Sequence, residues 1–257
     1  MAGVMTWQRR LRRCISLVLI LLAWETTAQL HIFSAFLLPP LSDVLGRLAN
    51  EFTRSDLPEA IFFTVTRSLA GFGLAVAVGV PLGLLIARVR IIRWFLDPIV
   101  SFGLPTPKIA FLPIFILWFG VFDESKVYMA AFNAIFPIIV ATWAGSDSVD
   151  KYLVWSANSL GARRSQVLWE VVLPAGLPSI MTGLQIALPF ALIITIIAEM
   201  STGGEGLGGY MVVAMRMADS PGVFGGLFCT AVVGFILQKL MEILRSRLLV
   251  WHEETQA

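Results

Sequence analysis

The residues with the clearest spacing pattern lie in segment 145–179, and the chemistry that they suit is docking to another protein. A short helix is predicted over Lys151–Ser159, because Gly161 follows it and glycine is favoured just beyond a helix C-terminus. A second helix is predicted over 164–172, ending before Pro174. Two short helices joined by a tight turn form a compact knob that can dock into a groove on a partner. An ordinary solvated loop is the alternative interpretation.

The polar side chains within long apolar stretches include Thr195 and three larger ones, Asn133, Gln185 and Glu199. Polar groups inside a membrane mark either solute pathways or contacts with neighbouring helices. We carry all three as candidate pathway residues, with pairing between helices or with interfacial water as the alternative. Glu199 is expected at the outer end of its apolar stretch, within reach of water.

Catalytic and metal chemistry find little support in the sequence. His31 and His252 have no neighbour at ligand spacing, so no metal site is predicted. Cys14 and Cys229 lie in apolar runs, which is typical of small buried side chains. We therefore predict no catalytic residue and no cofactor.

Nucleotide binding is disfavoured as well. The chain lacks the Gly-x4-Gly-Lys-Ser/Thr pattern that cradles ATP phosphates in a P-loop. Gly204, Gly206 and Gly209 have the spacing of a dinucleotide fingerprint, but that motif needs a preceding strand, and an apolar helix is predicted there instead. A flexible outer loop over 201–222 is the preferred interpretation.

Composition places these residues in a membrane protein. Hydrophobic residues make up 57% of the 257 residues and charged residues only 14%, whereas soluble globular proteins carry roughly 25% charged residues. Mean hydropathy is +0.81. The net charge of +2, without a basic stretch interleaved with aromatic residues, argues against a nucleic-acid partner. Membrane lipid is the expected surrounding.

The apolar stretches predict an all-α membrane protein with about six transmembrane helices. A spanning helix needs about 20 mainly apolar residues, and backbone groups in lipid must pair within the segment. The first stretch is the weakest, because its apolar part is short and is followed by Glu25, so a secretory signal peptide is an alternative to a retained helix. We predict a single domain over 1–257 with its core at about 55–250. The six candidate spans are 14–30, 69–87, 99–119, 128–144, 180–200 and 223–244.

Lysine and arginine are concentrated on one side of these spans, which identifies that side as cytoplasmic. Both termini and the knob are then predicted inside, and segment 37–66 outside, where residues 41–52 have the amphipathic pattern of a surface helix. The residues on the cytoplasmic side are Arg9, Arg10, Arg12, Arg13, Arg88, Arg90, Arg93, Lys151, Arg163, Arg164, Lys239, Arg245 and Arg247.

The knob resembles the EAA signature of bacterial ATP-binding-cassette (ABC) importer permeases. That signature reads Glu-Ala-Ala-x3-Gly-x9-Ile-x-Leu-Pro, and Trp155 and Ser156 stand where its Glu and first Ala are usual. The resemblance extends over about 38–251 and is strongest toward the sulfonate, taurine and nitrate permease branch. The matching residues of the signature are Ala157, Gly161, Val171 (for Ile), Leu173 and Pro174.

The resemblance implies a type I importer permease of the MetI-like fold in the bacterial inner membrane, without enzymatic activity or cofactor of its own. It also implies three protein partners: a cytoplasmic ATP-binding subunit, a periplasmic solute-binding protein and a second permease copy. In that family the helix before the glycine inserts into a cleft of the ATPase. The residues that would carry this ATPase-coupling role here are Ser156, Ala157, Leu160, Gly161, Ala162, Arg163, Leu173 and Pro174.

The implied solute is a small anion such as a sulfonate, taurine or nitrate. One alternative is the same importer class carrying a pyrimidine or riboflavin-type precursor. Another is a secondary, ion-coupled transporter, which would need an ion-coordinating group near the membrane centre. No predicted span carries a carboxylate at its centre, so the importer is preferred.

Overall fold

The computed structural model describes residues 2–54 and 56–251, where the backbone is helical apart from short connections. This confirms the predicted all-α fold class. A 3-10 turn (Lys108–Phe111) precedes the fifth helix, and a π segment (Val167–Val172) joins the eighth to the ninth. The helices are α1 (Ala2–Gln29), α2 (Leu41–Arg54), α3 (Asp56–Arg88), α4 (Arg90–Gly103), α5 (Leu112–Phe119), α6 (Asp123–Asp147), α7 (Lys151–Ser159), α8 (Arg164–Gln166), α9 (Leu173–Thr202), α10 (Leu207–Arg216) and α11 (Ser220–Leu248).

Within the described residues, four helical runs are long and apolar enough to cross a bilayer: α3, α6, the continuous run Arg164–Thr202, and α11. A fifth crossing exists if α4 and the run Lys108–Phe119 form one span, although the two halves are bent by 98°. The described part of the first predicted span, Val18–Gln29, is a shorter apolar helix. The described chain therefore has four or five crossings of this kind, where the sequence predicted about six.

The third predicted span, 99–119, is wrong as a single helix. Pro105 and Pro107 lie between its two halves. Proline lacks a backbone N–H and disfavours the helical conformation of the residue before it. The helix therefore ends at Gly103, and helical structure resumes in a new direction at Lys108.

Small residues bring α3 close to α6, the helix that packs against both α3 and α9. Gly71, Ala75, Gly79 and Gly83 recur every four residues and share one face of α3. A Cβ atom built at Gly83 would lie 2.8 Å from the carbonyl oxygen of Ile139. Close backbone approach of this kind is how helices associate in lipid, so these glycines set the distance between the two helices.

We expect Gly83→Ala to destabilise the protein by about 1–3 kcal/mol, since the added methyl group must displace the α6 backbone. Gly73→Ala is the matched control in the same helix, because a Cβ there meets nothing within 4 Å. Thermal unfolding of the two purified variants in detergent provides the measurement. Equal midpoints would contradict the proposed close contact between α3 and α6.

The knob departs from its prediction at one point. The second helix was predicted to end before Pro174, but helical structure continues from Arg164 to Thr202. Pro174 lies in the first turn of α9, where its missing N–H removes no hydrogen bond within that helix. In the π segment Val167–Val172, directly before α9, the backbone hydrogen bonds skip one more residue than in an α-helix, so the helical run continues up to Pro174.

Segments 37–66 and 201–222, which the sequence predicted to lie outside, both contain helices. The predicted surface helix is confirmed as α2, whose Val44 and Leu48 are buried against the rest of the chain. The segment 201–222 was predicted as a flexible loop, and this is wrong, because α10 forms within it. Gly208 and Gly209 are buried in α10, and their lack of a side chain permits close contact with α9 and the turn that follows it.

Candidate functional site

The first helix of the knob, α7, is capped at both ends. The Asp150 carboxylate accepts a hydrogen bond from the Tyr152 backbone N–H at 2.8 Å, so the N-terminus of α7 is satisfied. At the other end, the Ala162 N–H donates to the Ala157 carbonyl at 3.1 Å and the Gly161 N–H donates to the Asn158 carbonyl at 3.0 Å. This is a Schellman motif, which needs a residue with positive φ. Gly161 supplies it with a φ of +85°.

One side of the knob anchors it to the bundle. Val154, Ala157 and Ala162 pack against a small apolar cluster built on Leu84 and Val172. This contact connects the knob to the C-terminal end of α3 and to the segment before α9. Any force on α7 therefore reaches two of the long helices directly.

The opposite side of the knob presents large apolar side chains to its surroundings. Leu160 is 88% exposed and Trp155 is 60% exposed. The rings of Tyr152 and Trp155 pack edge to face with their centroids 5.5 Å apart. Exposed apolar groups of this size mark interaction sites, and aromatic side chains are common anchors at protein interfaces. The knob has the chemistry of a docking surface.

The structure brings the predicted coupling residues together in this one region. Leu160 and Gly161 form the tip of the turn, and Ser156 and Arg163 are exposed beside it. The Arg163 N–H donates to the Gln166 side chain at 2.8 Å, which holds the entry to α8. Ala157, Ala162, Leu173 and Pro174 are half-buried at its base.

The predicted pathway residues are not brought together. The Asn133 amide donates to the Phe190 carbonyl at 3.0 Å. The Gln185 side-chain oxygen accepts from Arg245 at 2.8 Å. Gln185 and Glu199 are separated by about 21 Å along α9, at 1.5 Å per residue. Each side chain thus has a helix-pairing contact within the chain, and the three do not form one small-molecule site.

Glu199 was expected to reach water, and this expectation is wrong. Its side chain is fully buried. It accepts hydrogen bonds from Arg67 Nη1 at 2.9 Å, from the Thr64 hydroxyl at 2.8 Å and from the Gly208 N–H at 3.1 Å. A buried carboxylate needs such partners, because an unpaired charge away from water is very costly.

Arg67 is the centre of what we call the Arg67 ion-pair cluster, formed by Thr64, Arg67, Asp123, Glu199 and Glu205. Arg67 is only 4% exposed. It also donates to Asp123 Oδ1 at 2.8 Å and to the Glu205 carbonyl at 2.7 Å. The cluster therefore joins α3, α6, α9 and the turn before α10 at one end of the bundle.

The structural role of Arg67 was not predicted from the sequence. The hydropathy pattern placed the beginning of the second span at residue 69, so Arg67 was assigned to the loop before it. A signal was present, since Thr64 and Arg67 are three residues apart and share a face of a helix. Their partner Glu199 is distant in sequence, however, and one sequence by itself does not reveal such a pairing.

A cavity of about 490 Å³ opens beside this cluster, between α2, α3 and α10. Acidic residues predominate in its lining, and Arg47 is already paired with Asp219 at 2.9 Å. Burial raises the pKa of Tyr210 in its wall to about 12, so the phenol stays neutral at physiological pH. The charged residues of the lining are Arg47, Glu51, Arg54, Asp56, Glu59, Glu205 and Asp219.

The described part of the chain contains no group of three or more His, Cys, Asp or Glu side chains placed to hold a metal ion. Cys229 is buried, as its apolar surroundings predicted. His252 and the side chain of Cys14 lie outside what the structure describes. The described residues thus form a docking surface on the knob and a set of polar contacts that hold the helices together.

Comparison with known protein families gives a match over most of this chain. The family described as "Binding-protein-dependent transport system inner membrane component" matches residues 79–250. The taurine transport system permease protein TauC of Escherichia coli (strain K12) is 33% identical over 246 residues, which cover 94% of this chain and 90% of that protein. The putative aliphatic sulfonates transport permease protein SsuC of Bacillus subtilis (strain 168) is 29% identical over 232 residues, covering 90% of this chain and 84% of that protein.

A relative with a different named solute is equally similar. The formylaminopyrimidine transport permease protein ThiX of Halalkalibacterium halodurans is 31% identical over 242 residues, covering 92% of this chain and 94% of that protein. Among solved structures, the inward-facing MetNI methionine ABC transporter in its native crystal form aligns with a TM-score of 0.69 at 16% identity, covering 77% of this chain and 98% of that one. At that identity the structural likeness shows a shared fold.

Proposed function

The chain belongs to the family of binding-protein-dependent transport system inner membrane components, and from this premise we propose how its two ends work. It is a multi-pass membrane permease subunit of an ABC importer with the MetI-like fold. It is not an enzyme, because the ATPase of such importers is a separate subunit. The family acts with an ATP-binding subunit and a solute-binding protein.

We propose that the knob is the surface that receives the ATPase subunit. The observation that carries this is the exposure of Leu160 and Trp155 on a capped helix whose other side packs on α3 and the start of α9. Closure of the ATPase on ATP then moves α7, and α7 moves the long helices. Such a transition is a shift between two packed states of the permease that differ in their contacts with the ATPase subunit.

The opposite end of the bundle is proposed to face the periplasm and the solute-binding protein. Inner placement of the knob is supported by Arg88, Arg93, Arg163 and Arg164 at its end of the bundle, since basic residues favour the cytoplasmic side. Both chain termini are proposed to lie in the cytoplasm. The single domain 1–257, its core at 55–250 and the coupling role of 145–179 remain part of this proposal.

Two copies of the chain are proposed to form the pathway, surrounded by membrane lipid. This proposal rests on the resemblance to importer permeases. Asn133 and Gln185 pair within their own chain. A polar pathway between two copies needs neither of them.

For the solute, we propose a small organic or inorganic anion such as a sulfonate, taurine or nitrate. The names of the TauC and SsuC relatives support this choice. The names of ThiX and of the riboflavin transport system permease protein RibX of Chloroflexus aurantiacus support the alternative of a pyrimidine or riboflavin-type precursor.

Uptake into vesicles tests this function. We expect vesicles that contain the permease, its ATPase and the binding protein to accumulate taurine or an alkanesulfonate only when ATP is supplied. Nitrate, formylaminopyrimidine and riboflavin complete the solute panel. The permease alone is expected to bind no ATP. Uptake driven by a proton gradient without the ATPase would contradict the importer mechanism.

A further inference from the structure

A second cavity, of about 470 Å³, lies between the knob and the inner end of the bundle. Its walls come from the end of α3, from α7 and from the run that joins α8 to α9. Leu84, Val167 and Val172 form a buried apolar floor, while Arg88 and Arg164 are exposed residues of the lining. The volume falls within the range of small-molecule sites. We call this space the inner cavity.

The charge of the inner cavity is positive. Its lining contains two arginines and no acidic residue. Arg88 donates through Nη2 to the Ser146 carbonyl at 3.2 Å, which leaves the other donors of its guanidinium group for a ligand. Within the described part of the chain, no acidic side chain forms a salt bridge with Arg164 or Arg88. An anion is therefore the complementary ligand.

The location of the inner cavity restricts the kind of anion. Arg88 is the last residue of α3, a helix that is apolar enough to span the bilayer. Leu85 lies one turn earlier, lines the cavity and is 39% exposed. The cavity thus combines apolar walls along the last turns of α3 with arginines at the end of that helix. Basic pockets between transmembrane helices on the cytoplasmic side suit anionic lipid headgroups.

We propose that the inner cavity binds an anionic phospholipid of the cytoplasmic leaflet. The phosphate pairs with Arg88 and Arg164, and an acyl chain lies against Leu84 and Leu85. Because Val154 of α7 is part of the same lining, the lipid braces the knob against α3. This site goes beyond the importer role, and it does not depend on contact with the ATPase.

The site and the docking surface use different sides of α7. Val154 and Asn158 are four residues apart, share one face and line the cavity. Tyr152 and Trp155 lie on another face and are exposed. Lipid binding and ATPase binding can therefore be measured and disrupted separately.

Native mass spectrometry of the purified permease tests the proposal, with phosphatidylglycerol and phosphatidylcholine of identical acyl chains as probes. We expect wild type to retain phosphatidylglycerol in preference to phosphatidylcholine. The Arg88→Gln/Arg164→Gln double variant is expected to bind phosphatidylglycerol about 25-fold more weakly, since each arginine near an anionic lipid surface contributes roughly a fivefold effect. The matched control is Arg90→Gln/Lys151→Gln, which removes two exposed positive charges outside the lining and is expected to behave as wild type.

Three results would overturn the lipid site. One is equal affinity for phosphatidylcholine, which would reduce the cavity to an apolar groove. Another is unchanged phosphatidylglycerol binding in the double variant. The third is displacement of phosphatidylglycerol by inorganic phosphate, which would identify a soluble anion as the ligand. If the double variant does not purify as folded protein, the exposed single change Arg164→Gln provides the same test with an expected loss of about fivefold.

Discussion

Replacing Arg67 with methionine is expected to lower the free energy of unfolding by about 3–5 kcal/mol, because the change removes the direct salt-bridge partner of the buried Glu199 carboxylate. Arg67 and Glu199 are 4% and 0% exposed, so little solvent screening offsets the loss. Removing one partner of a buried pair leaves a desolvated charge that the remaining hydrogen bonds do not neutralise. Unfolding by a denaturing detergent in mixed micelles provides the measurement.

The matching double variant, Arg67→Met/Glu199→Gln, separates the pair from the rest of the cluster. With both charges removed, we expect a large part of the lost stability to return, since replacing a buried ion pair by neutral groups is often nearly neutral. Arg216→Met is the control, because Arg216 is an exposed arginine at the same end of the bundle. The single variant Glu199→Gln completes the comparison. If the double variant loses as much stability as Arg67→Met and Glu199→Gln lose together, Arg67 and Glu199 do not interact.

Gly161→Asp is expected to abolish ATP-driven uptake while the protein still inserts into the membrane. A Cβ at this position meets nothing within 4 Å, so the fold tolerates the added atoms. Gly161 has a φ of +85°. A residue with a side chain is strained in this conformation, at a cost of roughly 1–2 kcal/mol for most L-residues. The new carboxylate would also lie at the tip of the docking surface, where an unpaired charge must be desolvated on contact.

Gly161→Asn is the matched variant for this prediction. Asparagine has nearly the same size as aspartate, tolerates a positive φ about as well as aspartate does and carries no charge, so it isolates the effect of the charge. We expect it to retain a measurable part of the uptake at equal membrane abundance. Equal uptake by Gly161→Asp and wild type would contradict the coupling role of the knob.

Local signals made the knob predictable from the sequence. Asp150 and Gly161 flank α7, and these residue types cap helices through contacts within a few residues. The observed helix, Lys151–Ser159, has the predicted bounds. The break at Pro105 and Pro107 also had a local signal, but an average of hydropathy over a span conceals it.

Long-range contacts explain what the sequence could not give. The second span was predicted to begin at residue 69, whereas α3 begins at Asp56, because Arg67 looks like a boundary until Glu199 is placed beside it. The glycines of 201–222 indicated flexibility for a similar reason. A Cβ at Gly208 would clash with the Ile196 carbonyl oxygen, so glycine is required there for packing against α9, a contact that the glycine pattern alone does not show.

Disulfide trapping between the knob and the ATPase subunit tests the central claim most directly. The chain has two cysteines, Cys14 and Cys229, and replacing both with serine gives the background for a single Leu160→Cys change at the 88% exposed tip of the knob. Met217→Cys, at a position that is 74% exposed at the opposite end, is the control. We predict that Leu160→Cys forms a cross-link with a cysteine in the cleft of the ATPase and that Met217→Cys does not. A cross-link from Met217→Cys, or none from Leu160→Cys in the assembled transporter, would contradict the account.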